Sequence, residues 1–234
     1  MPGVSLTSAV LEARLNNLLS LPEDITSSKV FAAALTHRSA GKDNNERLEF
    51  LGDAVLGLVI AQLLFEKFPH ATEGDLSRLR AHLVCKRALA EIAKQAGLSD
   101  VLKLGSGERR TGGHYRSSIL ADSLEAIIAA VYQIRGFQFA ADFVAQLYTE
   151  QLQQLPEFNE LKDPKTRLQE YLQAQQIEVP NYSLSKEWGE GNDKHFQVEC
   201  AVLALNQSAQ GEGKSKKKAE QAAALALLTQ LRTE

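Results

Sequence analysis

Residues 45–57 read Asn45-Glu46-Arg47-Leu48-Glu49-Phe50-Leu51-Gly52-Asp53-Ala54-Val55-Leu56-Gly57. The stretch has the spacing of a helix, yet it carries three carboxylates and two glycines. At about 100° per residue, Glu46, Glu49 and Asp53 fall within an arc of roughly 60°. From Leu48 to Phe65 the helix is apolar nearly all round, the pattern expected of a buried helix. Carboxylates in such a place are costly unless they are paired, hydrogen-bonded or bound to metal. Gly52 and Gly57 each cost about 1 kcal/mol relative to alanine in a helix interior. Close backbone packing combined with a hard-cation site would account for both features.

A second segment answers the first. Residues 117–135 read Ser-Ser-Ile-Leu-Ala-Asp-Ser-Leu-Glu-Ala-Ile-Ile-Ala-Ala-Val-Tyr-Gln-Ile-Arg. Ser117 or Ser118 can cap the helix start and Gly136 can end it. Within an apolar body, Asp122 and Glu125 stand three apart and share a face. Packed together, the two helices pool four carboxylates, an all-oxygen set that suits Mg²⁺ or Mn²⁺. The competing reading is a set of structural ion pairs with Arg47, Arg78, Arg80 or Arg87. A carboxylate-bridged di-iron centre needs Glu-x-x-His on paired helices, and that spacing is absent.

The Asn45–Gly57 stretch resembles the signature of the ribonuclease III family, and the Asp122/Glu125 helix resembles its second acidic element. Thr36-His37-Arg38-Ser39 matches a further family element; His37, ending a helix, reads as a packing or capping residue. The resemblance runs from about Leu6 to Arg232 and matches the bacterial order of parts. It implies an all-α endonuclease domain over 1–156, a linker over 157–161 and an RNA-binding domain over 162–234. It also implies Mg²⁺, with Mn²⁺ as a plausible substitute, on Glu49, Asp53, Asp122 and Glu125. Of these, Asp53 and Glu125 are the catalytic residues expected to tolerate substitution least. Asn45 is implied as a hydrogen-bonding supporter, and Glu46 and Glu73 as accessory acids. The implied reaction is endonucleolytic cleavage of double-stranded RNA to 5′-phosphate and 3′-hydroxyl ends, in ribosomal precursor processing and message turnover. A homodimer formed through the signature helix, with Phe50 as its knob, would present two acidic clusters to two strands.

The 234 residues suit one or two domains, with 44% hydrophobic content for a core and 24% charged content. The apolar run near 54–64 is broken by Gln62 and reads as too short to span a bilayer. A basic start followed by an apolar segment is missing from the N-terminus, so no signal peptide is expected. Cys85 and Cys200 lack metal-ligand spacing and read as thiols in a reducing compartment, with the cytoplasm as default and no membrane partner. The formal charge is −3, and from Glu157 onward 10 Lys and Arg face 12 Asp and Glu. RNA contact must therefore rest on local clusters rather than on an overall positive field.

Helical spacing predicts helices over Leu6–Leu19, Ser28–His37, Asn44–Phe68, Gly74–Ala96, Ser118–Arg135 and Gln138–Gln154, with Gly97 and Gly136 as stops. Residues 105–117 combine four glycines with Arg109, Arg110, His114 and Arg116. They read either as a solvated flexible connector or as a phosphate contact beside the acids. The pattern breaks around Pro156–Lys162. Asp163 and Pro164 then open a new helix to about Gln175. Strand-like stretches follow at Tyr182–Trp188, Phe196–Leu203 and Asn206–Gln210, and an alanine-rich helix at Ser215–Leu231. This α-β-β-β-α order is an α+β module.

The stretch Gly213-Lys214-Ser215-Lys216-Lys217-Lys218-Ala219-Glu220-Gln221-Ala222-Ala223 resembles the most telling motif of double-stranded-RNA-binding domains. Lysines at a helix N-terminus oppose the macrodipole and become favourable when a polyanion sits there. By that resemblance Lys216, Lys217 and Lys218 span a major groove, while Gln169 and Glu170 face a minor groove. The family's loop histidine stands four residues before the phenylalanine of the second strand. Here that place holds Asn192, and the histidine is His195, so the loop contact falls to one or the other. Two other classes remain open: a non-catalytic duplex-RNA-binding regulator, and a metal-dependent hydrolase of small phosphate esters.

Overall fold

The structure, a computed structural model, describes Leu19 and residues 21–233. The helix expected at Leu6–Leu19 lies outside the described residues, apart from Leu19. The chain divides after Pro156 into two compact units.

The first unit is helical: α1 (Glu23–Thr26), α2 (Lys29–Ala34), α3 (Glu46–Lys67), α4 (Glu73–Leu83), α5 (Lys86–Gln95), α6 (Ser106–Arg110), α7 (Ser117–Leu147) and α8 (Thr149–Gln153), with short 3₁₀ turns between. Its centre is α7, on which α3 and α5 pack. Ile119, Leu120, Leu124, Ile127, Ile128 and Val131 of α7 are buried, as are Val55, Leu56, Val59, Ile60 and Leu64 of α3. Both helices are long and apolar enough to cross a membrane, so the expectation that the α3 run is too short is corrected. Their apolar surface is instead used in part against each other.

Two further expectations are revised. The predicted Gly74–Ala96 helix is two helices, α4 and α5, with Cys85 extended between them (φ −69°, ψ 150°). The buried Tyr148 hydroxyl donates to the Leu83 carbonyl at 3.3 Å, supplying an end-of-helix partner from 65 residues away. Gly136 (φ 78°, ψ −179°) leaves helical geometry, so α7 is two helical segments meeting at a kink where the stop was expected. Arg116, not Ser117 or Ser118, holds the cap position of α7. Gly97 turns left-handed after α5 (φ 67°), as its reading as a stop implies. Thr72 caps α4 by accepting from the Asp75 amide.

The second unit is α9 (Pro164–Ala174), β1 (Asn181–Trp188), β2 (His195–Val202), β3 (Gln207–Gly213) and α10 (Lys216–Thr233). The strands form an antiparallel sheet in the order β1-β2-β3. Asp163 caps α9 by accepting from the Lys165 amide at 2.9 Å, with Pro164 in the first helical turn. Period-two burial puts Val198, Cys200 and Val202 on one face of β2, where Cys200 and Val202 pack with Leu168, Leu172, Ala223, Ala224, Leu227 and Leu228. The small residues of α10 let it lie on β3, where Gly211 leaves no room for a Cβ against Ala219 and Ala223.

Candidate active site

Gly52 determines where the acids go. A Cβ built on it would stand 1.8 Å from the Glu125 carbonyl oxygen, so α3 and α7 touch backbone to backbone at the level of the acids. That contact delivers Glu49 from α3 to Asp122 and Glu125 from α7. One carboxylate oxygen of each lies within 4.8 Å of the others. The N-terminus of α3 is fixed from two sides. The Asn45 amide donates to the Thr36 carbonyl at 2.9 Å, and the Asn45 side chain, 2% exposed, reaches Ser123 Oγ at 3.4 Å. Ser123 in turn donates to the Ile119 carbonyl. Sequence reading gave Ser123 no role; its burial beside two acids is the signal that was there to use.

The charges are tightly coupled. Burial pushes the Glu125 carboxyl up to about 8, and the negative charges of Asp53, Asp122 and Glu49 add to the rise. Burial, then the charge of Asp122, raises Glu49. Lys86 brings its Nζ to 3.1 Å from Asp122 Oδ1, and the charge of Arg38 also acts on Glu49. Arg78 pairs with Asp75, and Arg38 with Glu46. An all-oxygen donor set of mutually repelling carboxylates, partly withdrawn from solvent, fits a hard divalent cation.

The four acids are not equally buried, contrary to the sequence expectation. Glu125 is 7% exposed, Glu49 and Asp122 are half-buried, and Asp53 is exposed. Among the described residues the 4.8 Å group is Glu49, Asp122 and Glu125; Asp53 lies outside it but acts on Glu125 through its charge. Asp53 sits one turn beyond Glu49 on a helix whose outer side faces solvent. Glu46 lines the adjoining cleft of about 630 Å³ with His37, Asn45, Glu49, Arg116 and Asp122. Glu73, the first residue of α4, accepts from Ser77 at 2.6 Å and lies outside the group.

His37 has a bracing role. Its Nδ1 accepts from the Ser39 amide at 3.2 Å and lies 2.8 Å from Ser39 Oγ, which accepts from the Gly105 amide. Residues 105–117 are more structured than a flexible connector. They form α6 and a 3₁₀ turn, pinned by Arg116 on Glu108 at 2.6 Å.

The outer face of α3 is a correction of its own. Phe50 is 81% exposed, Phe65 70% and Leu58 57%, on a helix expected to be buried all round. Spaced at 50, 58 and 65, they form one apolar stripe.

In the second unit Lys216, Lys217 and Lys218 are exposed in the first turn of α10, and Gln169 and Glu170 are exposed on α9. Glu170 is held by Lys162 at 2.7 Å. Asn192 lies exposed in the β1–β2 turn, while His195 opens β2 and stacks on Trp188 with ring centroids 5.6 Å apart.

Comparison with known proteins matches residues 27–152 to a family model described as Ribonuclease-III-like, and residues 164–231 to the double-stranded RNA binding motif. Ribonuclease 3 of Idiomarina loihiensis is 48% identical over 198 residues, covering 85% of this chain and 86% of that protein. Ribonuclease 3 of Nitrosococcus oceani is 51% identical over 205 residues, covering 86% and 87%. Among solved structures, a nuclease domain of ribonuclease III from Campylobacter jejuni aligns with TM-score 0.55 at 44% identity, covering 57% of this chain and 93% of its own. That structure is described by flexibility in a region involved in dimer formation.

Proposed function

The chain belongs to the ribonuclease III family, and on that premise we propose that it is a Mg²⁺-dependent endonuclease cutting double-stranded RNA to 5′-phosphate and 3′-hydroxyl ends. The observation that carries the reading is the meeting of Glu49, Asp122 and Glu125 across the α3–α7 seam. These three, with Asp53 completing the set from the solvent side, would hold the ion. When bound, Mg²⁺ (or Mn²⁺) supplies Lewis-acid polarisation of the phosphodiester and a counter-charge to its transition state. Glu125, 7% exposed, would present its carboxylate to the ion from the buried side of the group. Asn45 and Ser123 fix the start of α3 so that Glu49 stays in register. Asp53, exposed, is the acid open to an approaching strand. Glu46 and Glu73 are outer acids. The substrates in the cell would be ribosomal precursors and structured messages.

The layout is a nuclease domain over 1–156, a linker over 157–161 and a duplex-RNA-binding domain over 162–234. Lys216, Lys217 and Lys218 stand exposed in the first turn of α10, where the positive end of the helix dipole also favours phosphates. Gln169 and Glu170, with Asn192 or His195, would follow the minor grooves. Replacing the three lysines by alanine is expected to weaken duplex binding and to flatten its dependence on salt by roughly two to three units of log–log slope. Filter binding across a salt series checks this; an unchanged slope would remove the lysines from the interface.

The α3 stripe would be the homodimer seam, Phe50 its knob. Because Phe50 is exposed in the protomer, Phe50→Glu is expected to give folded monomers, seen as halved mass in sedimentation with unchanged circular dichroism. Unfolding would instead mark Phe50 as core. The activity is tested with an end-labelled RNA duplex incubated with Mg²⁺, or with Ca²⁺ or EDTA in its place. Cuts on both strands that need the supporting ion are expected. Binding without cleavage under every ion would point to the non-catalytic regulator.

A further inference from the structure

Lys86 stands at the first position of α5, where the helix dipole disfavours a cation. Its surroundings explain the placement. The ammonium lies 3.1 Å from Asp122 Oδ1, and its charge also reaches Glu49 and Glu125. It is therefore paired with Asp122 and acts on the other two members of the acidic group through its charge. The contact is built to open, because the Lys86 side chain is 63% exposed while Asp122's is 21% exposed. The amine can swing to solvent; the carboxylate stays. We propose that Lys86 is a built-in counter-ion of the acidic cluster, a positioning residue that a divalent metal must displace and that lowers the site's metal affinity.

The proposal rests on reading the cluster as a metal site. A cation on a ligand oxygen opposes a second cation there, and the opposition is reciprocal. Without metal, the ammonium offsets the repulsion among Glu49, Asp122 and Glu125. With metal, it is the group that leaves. Removing the charge therefore has two linked consequences: the metal binds more tightly, and the metal-free fold is weaker.

The test uses the full-length protein and Mn²⁺ alone, with uptake followed by loss of the free-ion EPR signal and stability by thermal denaturation. For Lys86→Met, affinity is expected to rise about two- to fivefold, the range of one partly exposed ion pair. The metal-free melting temperature should fall, and the difference from wild type should close at saturating Mn²⁺. Lys86→Arg should behave as wild type. Unchanged or weaker Mn²⁺ binding by Lys86→Met, beside a wild type that binds, would overturn the counter-ion alone. A folded wild type that takes up no Mn²⁺, like the Glu125→Gln control, would overturn the metal site and the counter-ion with it.

Discussion

Glu125→Gln is expected to lower Mg²⁺-dependent cleavage by at least about a thousandfold, as loss of an electrostatic group at the reacting centre does, while leaving duplex-RNA binding intact. The same substitution should raise the stability of the metal-free protein in alkaline solution. The sign follows from the carboxyl's shift. Glu125 is pushed up to about 8 in the fold, against 4.5 for an ordinary glutamate. Between those values the folded protein holds a proton that the unfolded chain has released. Stability of the metal-free fold therefore falls as pH rises through that window, and the loss is complete above about 8. Below 4.5 both states are protonated and the group contributes nothing. Glutamine carries no titrating proton, so the variant should lose this part of the pH dependence. In wild type, Mg²⁺ should restore stability more at pH 8 than at pH 5.5, because the ion replaces the proton. Thermal denaturation at both pH values, with and without Mg²⁺, reads all of this. Near-normal cleavage by the variant would sink the assignment of Glu125 to the reacting centre.

The helices and the three-strand sheet were legible because apolar spacing at 3.6 and at 2 is a local property. The acids on 46–53 and 122–125 were legible for the same reason: a charge in an apolar run stands out. What failed depended on distant partners. Nothing within Gly74–Ala96 announces the break at Val84–Cys85, because Leu83's carbonyl finds its partner in Tyr148. The sequence reading offered Arg47, Arg78, Arg80 and Arg87 as counter-charges, yet the cation on Asp122 is Lys86, 36 residues away in the chain. Apolar residues all round α3 suggested burial all round. Periodicity reports that a face must be covered, not whether its cover comes from the same chain. Asp53 was misjudged in the same way, since it occupies the edge of the uncovered side.

Gly52 and Gly57 looked alike in the sequence, and the structure separates them. At Gly52 an added Cβ meets the Glu125 carbonyl oxygen at 1.8 Å and its carbon at 2.4 Å. Both are backbone atoms of a central helix, so neither can rotate aside. Alanine there must push α3 off α7, opening the most extensive helix contact of the unit and separating Glu49 from Asp122 and Glu125. Overpacking typically costs about 1–3 kcal/mol; rigid backbone on both sides puts Gly52→Ala at the top of that range or above it. Against a marginal total of about 5–15 kcal/mol, this is a large loss. At Gly57 nothing lies within 4 Å of an added Cβ. Gly57→Ala should therefore keep the protomer's fold and recover up to about 1 kcal/mol of helix propensity. The two losses can also be told apart by mass action. Any destabilisation by Gly57→Ala at the proposed α3 seam between copies would vary with protein concentration, whereas that of Gly52→Ala, which lies within the protomer, would not. Chemical denaturation at two protein concentrations, with Mn²⁺ uptake as the readout of the acid cluster, makes the comparison. A Gly52→Ala protein that melts like wild type and still takes up the ion would mean that the close approach of α3 and α7 is not what assembles the acids.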